Sequence, residues 1–364
     1  MHSNLSIHIL AALLFLMAGP VSAQAPKYSN EFLNIGVGAR SLAMANSCIA
    51  NVNDVTAGYW NPAGLNELSA DLQIGYMHNE YFAGIAKYDY GALAARIDET
   101  TVIGFTPLLR LGVDDIPDTS ELIDAEGNIN YDRIKSFSAA DYAFIFSYAK
   151  KSKLEGLTYG GNVKVVHRKV GEYATAWGFG LDVGAQYKMG AWQFGAVGRD
   201  ATSTFNAWNF NTEELADVFT LTGNEIPKNS LEVTLPKLLL AGGRKFSFSE
   251  KLSLYTEVDL DVTFDGRRNV LISGKPTSID PHMGLELAYG GFAFLRGGVG
   301  YIQKVQNLDQ EERYTMQPNI GLGVKIKSLH IDYALTNIGQ SVGLLSNVFS
   351  LKIDINKKEK NEAL

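Results

Sequence analysis

Between residues 320 and 327, Ile320, Leu322, Val324 and Ile326 alternate with Gly321, Gly323, Lys325 and Lys327. The same rhythm recurs at 181–189, 252–262, 329–335 and 349–355, where Leu181, Leu254, Ile331 and Leu351 alternate with residues such as Asp182, Asp259, Asp332 and Lys352. A period of two places one class of side chain on each face of a strand. From residue 70 onward the chain is therefore a run of strands, each with an apolar and a polar face.

The pattern predicts 14 strands, at 70–78, 83–96, 101–110, 138–150, 157–170, 174–188, 192–201, 232–248, 252–264, 282–289, 292–303, 314–326, 329–337 and 346–355. Pro236 cannot donate to a ladder and marks a bulge or an unpaired start in the eighth. Connections after even-numbered strands are short, as at 97–100, 190–191, 290–291 and 327–328. Those after odd-numbered strands are mostly long: 111–137, 202–231, 265–281, 304–313 and 337–345. The exception, 171–173, reads as the tip of a tall hairpin rising above the membrane. An even strand count with turns sorted by length is the signature of an outer-membrane barrel. A soluble sandwich would also alternate but has no reason to sort its loops, and no repeat suggests a propeller.

The first residues fit export to that membrane. The apolar run at 9–17 is too short to span a bilayer. It leads through Val21-Ser22-Ala23 to a cleavage pattern ahead of Gln24, although no Lys or Arg precedes the run. The expected organisation is a signal peptide at 1–23, a plug segment at 24–69, a transmembrane barrel at 70–355 and a tail at 356–364. No later segment is apolar enough for a membrane helix. Net charge is -7 with scattered basic residues, so nucleic acid is not an expected partner. Cys48 is the sole cysteine, which excludes an internal disulfide or a cysteine-based zinc site.

Segment 24–69 differs in texture. Residues 39–45 predict a short helix, and Asn61-Pro62 a turn. Such a head can plug a barrel too wide to be filled by its own strand side chains. Tyr59 and Trp60 are then expected to wedge against the wall, with Pro62 fixing the turn.

Stretch 30–65 resembles the N-terminal signature of the PorV/PorQ family, outer-membrane proteins of the type IX secretion system related to the FadL long-chain fatty-acid transporters. The matching residues are Ile35-Gly36, Gly38-Ala39-Arg40, Ala43-Met44, Ala57 and Trp60-Asn61-Pro62-Ala63-Gly64-Leu65, and the likeness runs on through 78–97. The resemblance implies an all-β fold, a 14-stranded antiparallel transmembrane β-barrel of FadL type with a small N-terminal plug. It also implies the type IX translocon, secreted cargo proteins or the attachment complex as partners, with outer-membrane lipid around the barrel. One departure is the end of the chain, where 356–364 carries no terminal aromatic residue. The alternative function is FadL-like passive transport of hydrophobic small molecules along a path lined by Phe32, Leu33, Ile35 and Trp60.

Candidate chemistry is sparse. Ser341 sits in a G-x-S-x-G pattern, but a strand-like segment follows where a nucleophile elbow needs a helix. The Gly36–Gly38 run lacks the third glycine and the βαβ unit of a dinucleotide loop. Segment 124–132 spaces its oxygens like a calcium loop, but Gly127 is misplaced and Lys135 stands where the bidentate Glu belongs. Glu257, Asp259 and Asp261 share a strand face and are expected to pair with cations such as Arg168, Lys169 or Lys325. His78, His167, His282 and His330 show no metal spacing. No catalytic residue, cofactor or metal is expected. Partner contacts are expected from the long loops, with Phe205, Trp208, Phe210, Glu213 and Glu214 as candidates. Leu254 and Leu322 should face lipid, whereas Gly323 and Gln186 should face the lumen and, barring steric clash, tolerate arginine better.

Overall fold

The computed structural model describes residues 29–119, 121–123, 127–213, 216, 219, 225, 228–306, 311–336 and 345–357. Its strands are β1 (Leu72–Tyr81), β2 (Ala86–Arg96), β3 (Thr101–Asp118), β4 (Lys135–Lys151), β5 (Leu157–Val170), β6 (Ala174–Met189), β7 (Trp192–Arg199) and β8 (Thr204–Phe210). They continue with β9 (Ser230–Thr234), β10 (Lys237–Ser247), β11 (Leu252–Thr263), β12 (Ser278–Tyr289), β13 (Ala293–Gln306), β14 (Glu312–Ile326), β15 (Leu329–Thr336) and β16 (Ser346–Ile355). All pairings are antiparallel, and β1 pairs with β16 while β5 pairs with β6, so the sheet closes. β7 and β8 are two segments of one wall strand, and β9 and β10 of the next, which makes a closed barrel of 14 strands.

The break in that strand pair has a local cause. Arg199 pairs with Lys237 below it and Thr204 with Thr234 above it. Between them Asp200 and Ser203 take left-handed φ values of 55° and 59°, and Pro236 has no N–H to give. The unusual backbone is held by Lys164, whose Nζ lies 2.5 Å from Asp200 and 2.8 Å from Asp182, and by the Thr204 hydroxyl, which donates to Asp200 at 2.5 Å. The expected irregularity at Pro236 is thus real. So is the tall hairpin at 171–173, because the upper part of β6 pairs with β8 as well as with β5.

Two expected loops are shorter than the pattern suggested. β3 continues to Asp118 and β4 begins at Lys135, so much of 111–137 is strand. Likewise 202–231 contains all of β8 and the first residues of β9. The first outer connection, 82–85, is as short as an inner turn. The polar composition of these segments reads as loop, but they rise above the hydrocarbon and need no lipid-facing apolar side chains.

Register assigns the faces. Leu254, Leu322 and Ile331 point outward, and Leu322 keeps 56% of its surface exposed. Trp192, Phe194, Phe246, Tyr289 and Phe292 ring the exterior near the short turns, with Trp177, Phe205 and Tyr314 toward the other end, as interfacial girdles do. Arg244 lies 5.0 Å from the Trp192 ring centre and 4.9 Å from that of Phe246, at the level where a cation meets headgroups.

Segment 29–71 lies inside the barrel. It consists of a 3-10 turn (Glu31–Asn34), a helix (Ala39–Ala43), a second short helix (Ala57–Trp60) and a 3-10 turn (Pro62–Glu67). The first helix stops before the predicted residue 45 because Ala45 and Asn46 turn left-handed, at φ 53° and 67°. The core is the plug against the wall: Phe32, Leu42, Ile49 and Leu65 with Tyr88, Tyr90 and Ile145.

Steric clash decides two of the luminal positions. Gly323 and Gln186 do face inward, but neither has room for arginine. A Cβ on Gly323 would lie 2.4 Å from both Arg296 and Asp332, and Gln186 is buried against the plug. The tolerant luminal positions lie where the lumen is open, as at Ser253. We expect Leu322→Arg to lower unfolding stability by about 2–4 kcal/mol and Ser253→Arg by less than about 1 kcal/mol. Urea titration of the barrel in lipid vesicles checks this, and equal costs would contradict the facing.

Candidate functional site

The head motif builds the plug and seats it. Gly36 and Gly38 have φ of 99° and 85°, and a Cβ on Gly36 would touch the Trp60 ring at 2.9 Å, so this lead-in requires glycine. The Trp60 indole donates to Val37 O at 2.8 Å, and the Tyr59 hydroxyl donates to Leu33 O at 2.5 Å while accepting from Gly36 N. Burial pushes the Tyr59 phenol up to about 12, so it stays a neutral donor. Asn61 is extended ahead of Pro62, which opens the following 3-10 turn. The Asn61 side chain accepts from Ala63 N and donates to Ile49 O and to Ala185 O of β6, each at 3.0 Å. The turn therefore staples plug to wall. Gly64 is needed beside it, since a Cβ there would lie 2.2 Å from Val52 O.

Arg40 carries the electrostatics. Its guanidinium meets Glu286 of β12 at 2.8 Å, and Glu286 also accepts from Arg296 of β13 at 2.7 Å. Arg296 reaches Asp332 of β15 at 2.7 Å, Asp332 lies 3.3 Å from Lys352 of β16, and Lys352 returns to plug residue Asp54 at 2.6 Å. The chain of charges starts and ends on the plug and between them uses side chains of β12, β13, β15 and β16, passing over β14. Burial alone would push the Asp54 carboxyl up. Lys352 and Arg40 outweigh it and hold the group well below the usual carboxylate range.

The opposite wall uses other chemistry. Arg199 donates to Tyr59 O at 3.1 Å and lies 5.0 Å from the Tyr59 ring centre and 5.9 Å from that of Trp60, so these rings do meet the wall, through a cation. Gln186 donates to Ile49 O and Val52 O. Glu257 and Asp259 do not pair with Arg168, Lys169 or Lys325. They accept backbone N–H groups of the plug, Ala50 N at 2.6 Å and Cys48 N at 3.0 Å. Arg168 instead binds Asp141 and Glu232, and Lys325 approaches Asp354. Wall glycines give the plug backbone its space. A Cβ on Gly195 would lie 2.6 Å from Ile49 O, and one on Gly298 would lie 2.3 Å from the carbonyl carbon of Met44.

The plug divides the lumen. On the short-turn side lies a polar vestibule of about 680 Å³, lined by Arg40, Lys188, Lys245, Tyr255 and Lys325 among others. On the other side is a cavity of about 230 Å³ between the plug and β13–β15. No cluster of three metal-ligating side chains occurs among the described residues.

Of the candidate partner residues, Phe205, Trp208 and Phe210 sit on strand β8 and not in a loop. Phe205 faces outward, while Trp208 turns inward, donating to Glu232 at 2.8 Å under Arg168. Glu213 is exposed, and Glu214 lies outside the described residues, as do Ser341, residues 124–126, the signal segment 1–23 and residues 358–364. Sequence reading missed Glu286, Arg296, Asp332 and Lys352 as plug ligands. Their signal was a charged residue on the luminal face of each strand, but nothing in the pattern said which charges would meet.

This is the fold of the FadL-type outer-membrane barrels. The structure is similar to the CymD monoaromatic hydrocarbon channel, with TM-score 0.55 and 12% identity over 89% of this chain and 98% of that one. It is also similar to the Ralstonia pickettii toluene transporter TbuX, with TM-score 0.51 and 14% identity over 88% and 99% of the two chains. For the P. putida toluene transporter TodX the TM-score is 0.50 and the identity 14%, over 88% and 99%. Identity this low establishes a shared fold. No protein-family model matches the chain, and no curated protein matches it in sequence.

The latch predicts a pH response. Because the folded Asp54 pKa is depressed, its contribution is full above the unfolded value of about 4 and is lost as pH falls through the folded value. Ion conductance of the barrel in planar bilayers should therefore stay low at neutral pH and rise in acid. Lys352→Met, which leaves Asp54 buried without its amine at a cost of about 3–5 kcal/mol, should conduct at neutral pH already. A variant as silent as the parent protein would contradict the latch.

Proposed function

We propose that the protein is a passive outer-membrane conduit for small hydrophobic molecules, gated by its plug. The observation that carries this is architectural. A barrel with one luminal plug aligns with nearly the full length of proteins named as hydrocarbon channels and toluene transporters. The plug supports the same reading, because across β12–β16 its hold on the wall is polar, while apolar packing is concentrated against Tyr88, Tyr90 and Ile145. Buried ion pairs and hydrogen bonds give a defined seat with little net stabilisation over separation into water, which suits an element that must shift. The Arg40–Glu286 and Asp54–Lys352 contacts line the inner vestibule and must open for this side of the plug to shift.

The test is flux of toluene into vesicles containing the purified protein. We expect uptake above that of empty vesicles, and faster uptake with Gly298→Val, which removes the space for Met44 and unseats the plug. Flux equal to that of empty vesicles in both cases sinks the proposal. A second reading, binding of the type IX translocon or of secreted cargo, rests on the head motif around Gly36, Arg40 and Trp60. A pull-down from the native outer membrane that recovers such proteins would move it to first place.

A further inference from the structure

The lipid-facing wall carries one isolated arginine. Cross-strand register runs the exterior face from Met189 of β6 through Trp192 of β7, and from Trp192 through Arg244 of β10 and Thr256 of β11 to Leu285 of β12. On the exterior faces of these five strands Arg244 is the sole charged side chain. It is exposed, and no acidic side chain among the described residues pairs with it. We infer that Arg244 anchors a binding site for an anionic phospholipid of the leaflet on the short-turn side, with its guanidinium on the lipid phosphate. This goes beyond the conduit reading and does not depend on it.

Depth and chemistry both point to a headgroup. Arg244 pairs with Trp192, the first residue of β7 after the turn at 190–191. Its guanidinium lies 5.0 Å from the Trp192 ring centre and 4.9 Å from that of Phe246, which stands nearer the strand end. A cation on a lipid-facing wall costs less the closer its head comes to the interface. Here two rings fix the head at that level. A guanidinium matches phosphate oxygens in a bidentate fork. Thr256, directly opposite Arg244, adds a hydroxyl, and neither that hydroxyl nor the Trp192 indole N–H has a partner among the described residues. All three groups donate, as an anion requires. A zwitterionic headgroup brings a cation as well, and this exterior face has no acid to receive it. The two rings that could take that cation are already covered by Arg244.

The surface beside the arginine suits an acyl chain and not a free phosphate. Gly242 occupies the next position on the same face, further into the hydrocarbon. A Cβ there would meet only the Phe194 ring, at 3.8 Å. The missing side chain leaves a notch bordered by Phe194, Leu240 and Val258, all of them exposed. The first carbons of an acyl chain fit this notch when the phosphate sits on Arg244.

The test is native mass spectrometry of the purified full chain in detergent, titrated with phosphatidylglycerol or phosphatidylcholine, and with inorganic phosphate as a competitor. Phosphatidylglycerol should be retained about fivefold more tightly than phosphatidylcholine. Arg244→Gln should lower phosphatidylglycerol retention by about the same factor and leave phosphatidylcholine unchanged. Inorganic phosphate at equal concentration should not displace the lipid. Equal retention of the two lipids by the parent protein overturns the inference, as does a preference that survives Arg244→Gln. Displacement by inorganic phosphate overturns the assignment to a lipid. The comparison of lipids on the parent protein needs no variant, so it decides even if Arg244→Gln fails to fold. Toluene flux without a lipid preference would sink this inference alone, and a lipid preference without flux would sink the conduit alone.

Discussion

Inside a hydrocarbon layer there is no water to satisfy backbone N–H and C=O groups, so a sheet that crosses it cannot keep an open edge. Everything else in this structure follows from that closure. The ladder from β1 round to β16 returns to β1, and the circle is wider than its own side chains fill. Residues 29–71 occupy the space. The plug is a consequence of strand number, and its contacts are a consequence of the lumen being polar.

Those contacts are of distinct kinds on different parts of the wall. Across β12–β16 the plug is held by charges, from Arg40 through Glu286, Arg296, Asp332 and Lys352 to Asp54. Along β6 and β7 it is held by amides and by Arg199 over two aromatic rings. On β11 it is held by Glu257 and Asp259, which bind backbone N–H groups with no cation between. Buried ions gain little over their hydration, yet they penalise a wrong seat heavily. Apolar burial against Tyr88, Tyr90 and Ile145 holds one side of the plug, and the polar contacts fix its position on the other.

The lumen of this chain differs in lining from one end to the other only in detail. Proteins of this architecture named for toluene or monoaromatic hydrocarbons share the fold with this chain. Here the cavities above and below the plug are lined largely by amides, hydroxyls and charges. The wall break at Asp200 and Pro236 lies beside the start of the plug, where Ser29 and Asn30 bond Thr234 and Asn206. Hydrogen bonds thereby join the plug to the irregular part of the wall.

Much of this was legible in the chain. The two-residue period determined the strands, their number and which side chains meet lipid, because that period is a local property of extended backbone. Pro236 disclosed the broken strand and Asn61-Pro62 the turn in the plug, because proline acts on its own neighbours. The strand continuations at Asp118 and Thr204 were hidden, since strands above the hydrocarbon need no apolar face. Which luminal charge meets which was hidden as well. Arg40 and Glu286 lie far apart in the chain and become neighbours only when the barrel closes and the plug settles. Sequence alone thus determined the alternation and its lipid-facing side. The tertiary structure decided the latch, the glycine cradle and the amide-lined cavity, because each depends on distances set by closure and not by local backbone geometry.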